Sequence, residues 1–227
     1  MAQSWHDLLF AHWPVDPGIL APTLPAGLAL DTRDGAAWRG VAPFRMSGVR
    51  LRGLPALPGA RAFPELNVRT YVVAGGRPGV WFHSLDAANP LAVAVARAWF
   101  HLPYVRAEMR CEAAGDGVVY ASRRTHRGAP PASFRARYGP TSAPRRARPG
   151  SLEHWLTERY CLYAASPRGL LRGEIHHAPW PLQDARAEIT EQTVAAAAGV
   201  DLAAPCAPPV LHFARRLDVV CWAPVRV

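Results

Sequence analysis

The residues with the clearest chemical potential lie in the stretch PELNVRTYVV. Side chains alternate across a β-strand, so Glu65, Asn67, Arg69 and Tyr71 share one face, and Leu66, Val68, Thr70 and Val72 share the other. Such a polar face is ordinarily a solvated one. If it lines a cavity instead, it offers two functions. A buried glutamate near an arginine can act as a general acid or base, because burial and the neighbouring charge set its pKa. The planar guanidinium can clamp a carboxylate with two parallel hydrogen bonds.

A second candidate is GEIHHAPWPLQ. Adjacent strand residues point to opposite faces, so His176 and His177 cannot readily chelate one ion, and metal binding is not expected of them. Leu171, Ile175 and His177 share a face, which makes His177 the inward-facing candidate; its ordinary role would be that of a hydrogen-bonded core histidine. HExxH, GxSxG, GxGxxG and CxxC spacings are all missing from the chain, so no cofactor is signalled. The four cysteines, Cys111, Cys161, Cys206 and Cys221, are expected to be reduced and buried.

All 26 Lys+Arg residues are arginine. A chain without lysine side chains cannot form an internal Schiff base, supply a P-loop lysine or run a Ser-Lys dyad. The net charge of +9 raises the question of nucleic acid, yet the arginines are scattered and dense only from Arg135 to Arg148, with no recognised nucleic-acid motif. Nucleic-acid binding is therefore disfavoured, and the segment 139–150, rich in Pro and Arg, reads as an exposed loop. With 227 residues, half of them hydrophobic, the chain can build a sizeable core as one domain. Its most apolar window, LAVAVARAWF, is too short for a bilayer and is interrupted by Arg97, so a soluble, cytoplasmic protein is expected.

The positioning elements are short, because Gly and Pro recur along the chain. Asp16-Pro17 signals a helix start that must end near Pro25, and Leu28–Thr32 and Ala36–Met46 are expected to form a hairpin with a Gly at the RDG turn. Gly79–Leu85 is a strand. Asn89-Pro90 caps a buried helix, LAVAVARAWF, which stops before Pro103. Strands over Ala107–Glu112, Val118–His126 and Ala132–Tyr138 form a meander, and Ser151 caps a helix to about Glu158. RYCLYAA, LLRGEIHH and VLHFARRLDVVCW read as strands, with a small helix over Glu191–Ala198 ending at Gly199. The pattern is α+β: a curved antiparallel sheet with short helices, able to close into a barrel.

The ordered segments WHDLLFAHWPV, LPAGLALDTRDGAAW, VAPFRM, FPELNVRTYV, GVWFHSLDA, FHLPY, LTERYCLY and HHAPWPLQ resemble the bacterial YqjF-like family, a branch of the acetoacetate-decarboxylase-like superfamily. The resemblance covers nearly the whole chain. It implies one domain over residues 1–227, with the sheet closed into a cone-shaped barrel around a pocket and short peripheral helices. It further implies that Glu65 of FPE faces the pocket, with Asn67, Arg69 and Tyr71 alongside. Tyr104 of HLPY falls near the superfamily's Schiff-base lysine, and His6 of SWHDLLF falls near its pocket arginine. Lacking the lysine, this chain is not expected to be an acetoacetate decarboxylase. The expected catalytic candidates are Glu65, Tyr104 and His177. The expected ligand-binding set is His6, Arg45, Asn67, Arg69 and Tyr71, with neither metal nor cofactor. The expected partner is a small polar carboxylate or enol. The alternative is a lysine-independent lyase, isomerase or hydrolase using Glu65 with Tyr104 or His177. A homo-oligomer is left open.

Overall fold

A computed structural model describes residues 1–50, 62–200 and 207–227. The first strand, β1 (Ala2–Val15), is followed by a one-turn helix, α1 (Pro17–Leu20), started by the Asp16 carboxylate accepting from the Gly18 amide at 2.7 Å. The strands β2 (Ala29–Leu30), β3 (Ala37–Arg50), β4 (Ala62–Ala74) and β5 (Arg77–Ala87) come next. Then α2 (Pro90–Phe100) starts where Asn89 Oδ1 accepts from the Leu91 and Ala92 amides, and ends at His101, whose φ of 52° is left-handed. The meander is β6 (Tyr104–Ala114), β7 (Gly117–Arg124) and β8 (Ser133–Pro140). The chain continues through α3 (Leu152–Thr157), β9 (Cys161–Ser166), β10 (Gly169–His177), β11 (Gln183–Gln192), α4 (Val194–Ala197), β12 (Val210–Cys221) and β13 (Val225–Arg226).

All these strands belong to one 13-stranded sheet, and the pairings β4–β5, β5–β9, β9–β10, β10–β12, β12–β1, β1–β3 and β3–β4 close it into a ring. The expected antiparallel order holds except at β5, which pairs in parallel with β6 and with β9. The β5–β6 junction follows from α2, since a parallel neighbour needs a crossover and here the helix supplies it.

Two hydrophobic clusters lie on opposite faces of β1 and β4. One gathers Leu9, Val41, Val68, Phe134 and Phe213 between the ring and the β6–β8 meander; the other gathers Phe10, Phe44, Phe63, Leu85 and Trp180 inside the ring. Burial on both faces explains why LLFA in β1 is continuously apolar rather than alternating. One ion pair is fully enclosed: the Arg124 guanidinium donates to both oxygens of Asp86 at 2.7 and 3.1 Å, with each side chain no more than 3% exposed.

Three expectations about elements are corrected. The hairpin of Leu28–Thr32 with Ala36–Met46 does not form, because β2 is only Ala29–Leu30 and pairs with β4, leaving the single bridge Arg33–Ala36 across the turn. The helix LAVAVARAWF is not buried: Val93 is its one buried residue, while Leu91, Val95 and Trp99 face solvent. It packs Ala92, Ala96 and Phe100 against the interior cluster, an apolar face that composition cannot distinguish from full burial. The small helix is confined to Val194–Ala197, because QDARAEITEQ is the strand β11, paired with β12 at Gln183 and Asp184 and with β8 from Ala185 to Gln192. Its alternating Ala185, Ala187 and Ile189 carry the two-residue period, but alanine and glutamate are weak strand formers and mask it. Cys161 is buried and Cys111 and Cys221 are half-buried free thiols; Cys206 lies outside the described residues.

Candidate functional site

Inside the ring is a cavity of about 370 Å³. Glu65, Asn67 and Arg69 reach it from alternate positions of β4, together with Tyr104 at the start of β6 and His177 at the end of β10. Leu66 and Val68, on the opposite face, pack into the other cluster.

Glu65 is 3% exposed, and burial pushes its carboxyl up to about 8. The Tyr104 hydroxyl donates to Glu65 Oε2 at 2.8 Å, a bond that favours the carboxylate but does not overcome its desolvation. At neutral pH Glu65 is therefore a neutral acid with a proton to give. Its backbone is pinned by the Tyr120 hydroxyl, which donates to the Glu65 carbonyl at 2.7 Å. Further along the ladder, Asn67 Oδ1 is buried without a hydrogen-bond partner, and so are Nε and Nη2 of Arg69. The Arg69 guanidinium lies over the Phe10 ring at 5.1 Å, and no carboxylate among the described residues pairs with it. Close packing at Gly40 makes room for it: a Cβ there would stand 3.3 Å from Arg69 Cγ and 3.0 Å from His12 Cδ2.

Tyr71 shares this strand face but, unlike Glu65, Asn67 and Arg69, does not line the cavity. It is fully buried beside Arg69, whose guanidinium lies 5.8 Å from its ring. Its hydroxyl donates to the Leu156 carbonyl at 2.8 Å and so accepts from His12 Nε2 at 2.7 Å, leaving no proton for a ligand. Burial holds His12 well below its ordinary pKa, which keeps it neutral and consistent with that tautomer.

His177 sits among Trp5, Tyr160 and Trp180, stacked on Tyr160 at 4.7 Å and edge-on to Trp180 at 5.2 Å. Its Nδ1–H donates to the Ala178 carbonyl at 2.8 Å, and burial lowers its pKa, so the neutral ring keeps Nε2 as an acceptor.

His6 and Arg45 do not join the site. Asp7, with φ of 53°, is an extra residue in β1 opposite β3. Before this bulge Trp5 faces the cavity; after it Leu8 does, and His6 points away to hydrogen-bond Ser47 at 2.7 Å. Arg45 lies between Phe44 and Met46, both of which line the cavity, so alternation turns it outward to pair with Asp7 at 3.6 Å. Sequence reasoning missed Arg159, a second guanidinium in the wall, held at 2.5 Å by Asp31 and stacked on Trp155 at 4.4 Å. It also missed Trp5. Neither position carried a motif.

Among the described residues, one cluster has metal-like composition: Glu153, Asp184 and His212. A guanidinium already occupies its centre, with Arg145 donating to both oxygens of Glu153 at 2.7 and 2.8 Å and to Asp184 at 2.7 Å. These bonds, with the Thr141 and Arg145 amides on the Asp184 and Leu182 carbonyls, tie the Arg-rich segment 139–150 to β11. Arg135 pairs with Glu191 at 3.0 Å, so part of the basic run is spent on structure.

A mostly-sheet ring with a buried glutamate and a half-buried arginine on one strand places the chain in a recognisable class. It belongs to the DUF2071 family of uncharacterized conserved proteins, whose sequence pattern matches residues 2–218. The uncharacterized protein YqjF of Bacillus subtilis (strain 168) is 50% identical over 222 residues, covering 98% of this chain and 90% of that protein. The enduracididine biosynthesis enzyme MppR, solved in complex with pyruvate, superposes with a TM-score of 0.65 at 14% identity, covering 99% of this chain and 89% of that one. An acetoacetate decarboxylase-like enzyme from Sphingomonas wittichii RW1 superposes with a TM-score of 0.61 at 16% identity, covering 100% and 92%. At these identities the two structures establish the acetoacetate decarboxylase-like fold. Among the described residues, no helix is long and apolar enough to cross a membrane.

Proposed function

We propose that the ring is the wall of a cone-shaped barrel whose cavity binds an organic acid, with the carboxylate on Arg69 and a carbonyl or enol oxygen facing Glu65. One observation carries this reading. Arg69 is half-buried in the cavity wall with Nε and Nη2 lacking a hydrogen-bond partner; Tyr71 and the Phe10 ring are its neighbours and no carboxylate among the described residues pairs with it, so a partly desolvated cation there favours an anion. The neighbour MppR, solved in complex with pyruvate, supports a carboxylate ligand for a protein of this fold. The chain's lack of lysine removes imine chemistry at an internal side chain, and binding needs none. Isothermal titration against 2-oxo and saturated monocarboxylic acids of three to ten carbons tests it. At least one acid should bind, and Arg69→Met should weaken it about 10- to 100-fold, as hydrogen bonds to a charged group imply. Failure of every acid to bind, or equal binding by Arg69→Met, overturns the reading.

The raised pKa of Glu65 favours a second reading, in which the same site moves a proton as a lysine-independent lyase, isomerase or hydrolase. Glu65 would hold the mobile proton, Tyr104 would orient it, and His177, an acceptor at Nε2, would serve as base. Deuterium exchange at the carbon next to a bound oxo acid's carbonyl should then slow by ~10²–10⁴-fold in Glu65→Gln. An unchanged rate rules this reading out.

A further inference from the structure

We infer that the acid bound in the cavity carries an apolar chain that runs from the Arg69 end of the site out past α2. The inference rests on the proposed carboxylate site and adds the class of acid.

The size of the cavity is the first argument. At about 30 Å³ for a water-sized group, 370 Å³ holds roughly a dozen non-hydrogen atoms, about twice what pyruvate contains. Wall chemistry is the second. The polar groups of the ladder lie along β4 with Tyr104 beside them, whereas Leu8, Phe44, Met46, Phe63, Leu85 and Ile175 make much of the remaining surface apolar. A polar ligand filling the whole volume would leave its own groups unpaired against these side chains.

The third argument is the opening. Leu91, Val95 and Trp99 recur every fourth residue on α2, line the cavity, and are still 54%, 38% and 66% exposed. Trp222, after β12, also lines it at 46% exposure. Large apolar side chains gathered on the rim of a cavity mark a ligand groove. The direction follows from the opposite end. The unpaired Arg69 nitrogens are buried beside Tyr71, itself fully buried, so the charged head sits innermost and the chain extends towards solvent.

Each methylene buried should raise affinity about 3- to 4-fold. The test is titration of the full chain with straight saturated and 2-oxo acids of three to ten carbons, and with alkylammonium ions of matching length. A second protein carries Leu91→Ser and Trp99→Ser, exposed positions whose change leaves the fold measurable by circular dichroism. Affinity is expected to climb by that factor per carbon until the volume is filled, near nine or ten carbons. The double variant should equal the wild type for the shortest acids that bind and lose most of the gain for the longest. Arg69-dependent binding with no trend in length overturns this inference and leaves the carboxylate site standing. Absence of binding at every length overturns both. Alkylammonium ions binding as tightly as the acids would mean indiscriminate apolar uptake and also overturns it.

Discussion

Asp86→Ala is expected to lower the melting temperature by about 6–20 °C in differential scanning calorimetry, the largest stability loss of any polar substitution considered. The carboxylate is 1% exposed and takes two hydrogen bonds from Arg124, itself 3% exposed at the side chain. Removing one partner strands a buried guanidinium, which costs ~3–5 kcal/mol, and a domain of this size loses ~2–4 °C per kcal/mol. The pair is nevertheless no net asset. Burial raises the Asp86 pKa in spite of the guanidinium, so desolvation outweighs attraction. The double replacement Asp86→Leu with Arg124→Met should therefore recover most of the loss. A single variant as stable as the wild type, or a double variant worse than the single, would contradict this account.

The second large effect is expected from Glu65→Gln, and its size depends on pH. The folded-state pKa of Glu65 is about 8 against an unfolded value of 4.5. Below 4.5 both states hold the proton, so ionisation contributes nothing to the difference. Between 4.5 and 8 the unfolded chain releases its proton while the folded one keeps it. Wild-type stability then falls as pH rises, by at most about 1.4 kcal/mol per unit, and the fall stops above 8. Glutamine is neutral throughout, and its amide oxygen still accepts from Tyr104. The variant should match the wild type near pH 4.5 and exceed it by several kcal/mol at pH 8. Urea unfolding at a series of pH values checks this, and parallel stability curves for the two proteins would refute it.

The polar ladder was legible because strand alternation is a strict geometric rule: once Leu66 and Val68 are assigned to a core face, Glu65, Asn67 and Arg69 must share the other. Tyr104 became legible through HLPY and the family resemblance. What the sequence concealed has physical causes. The bulge at Asp7 turns His6 outward, and aspartate in a left-handed conformation leaves no mark that separates it from an ordinary strand residue. Tyr71 obeys the alternation yet does not line the cavity, because alternation assigns a face and not a depth. Arg159 is held by Asp31, far away in the chain, and long-range pairs of this kind are invisible to local patterns. The exposure of α2 depends on what the helix covers, which its own apolar composition cannot state.

The strand β1 is hydrogen-bonded on one side to β3 and on the other to β12, with the Met1 amino group reaching the Cys221 carbonyl 220 positions away. About 160 residues separate the end of β3 from the start of β12. At ~5–20 residues per second, synthesis of that interval takes roughly ten to thirty seconds, during which β1 and β3 are finished and β12 does not yet exist. One edge of β1, with the LLFA run facing both ways, stays open throughout. The nascent chain is therefore most prone to aggregation in the middle of its own translation, and chaperone demand should concentrate there. Because ring closure joins residues so distant in sequence, the closing step also belongs to the slow, millisecond-to-second range of non-local β pairing or beyond it.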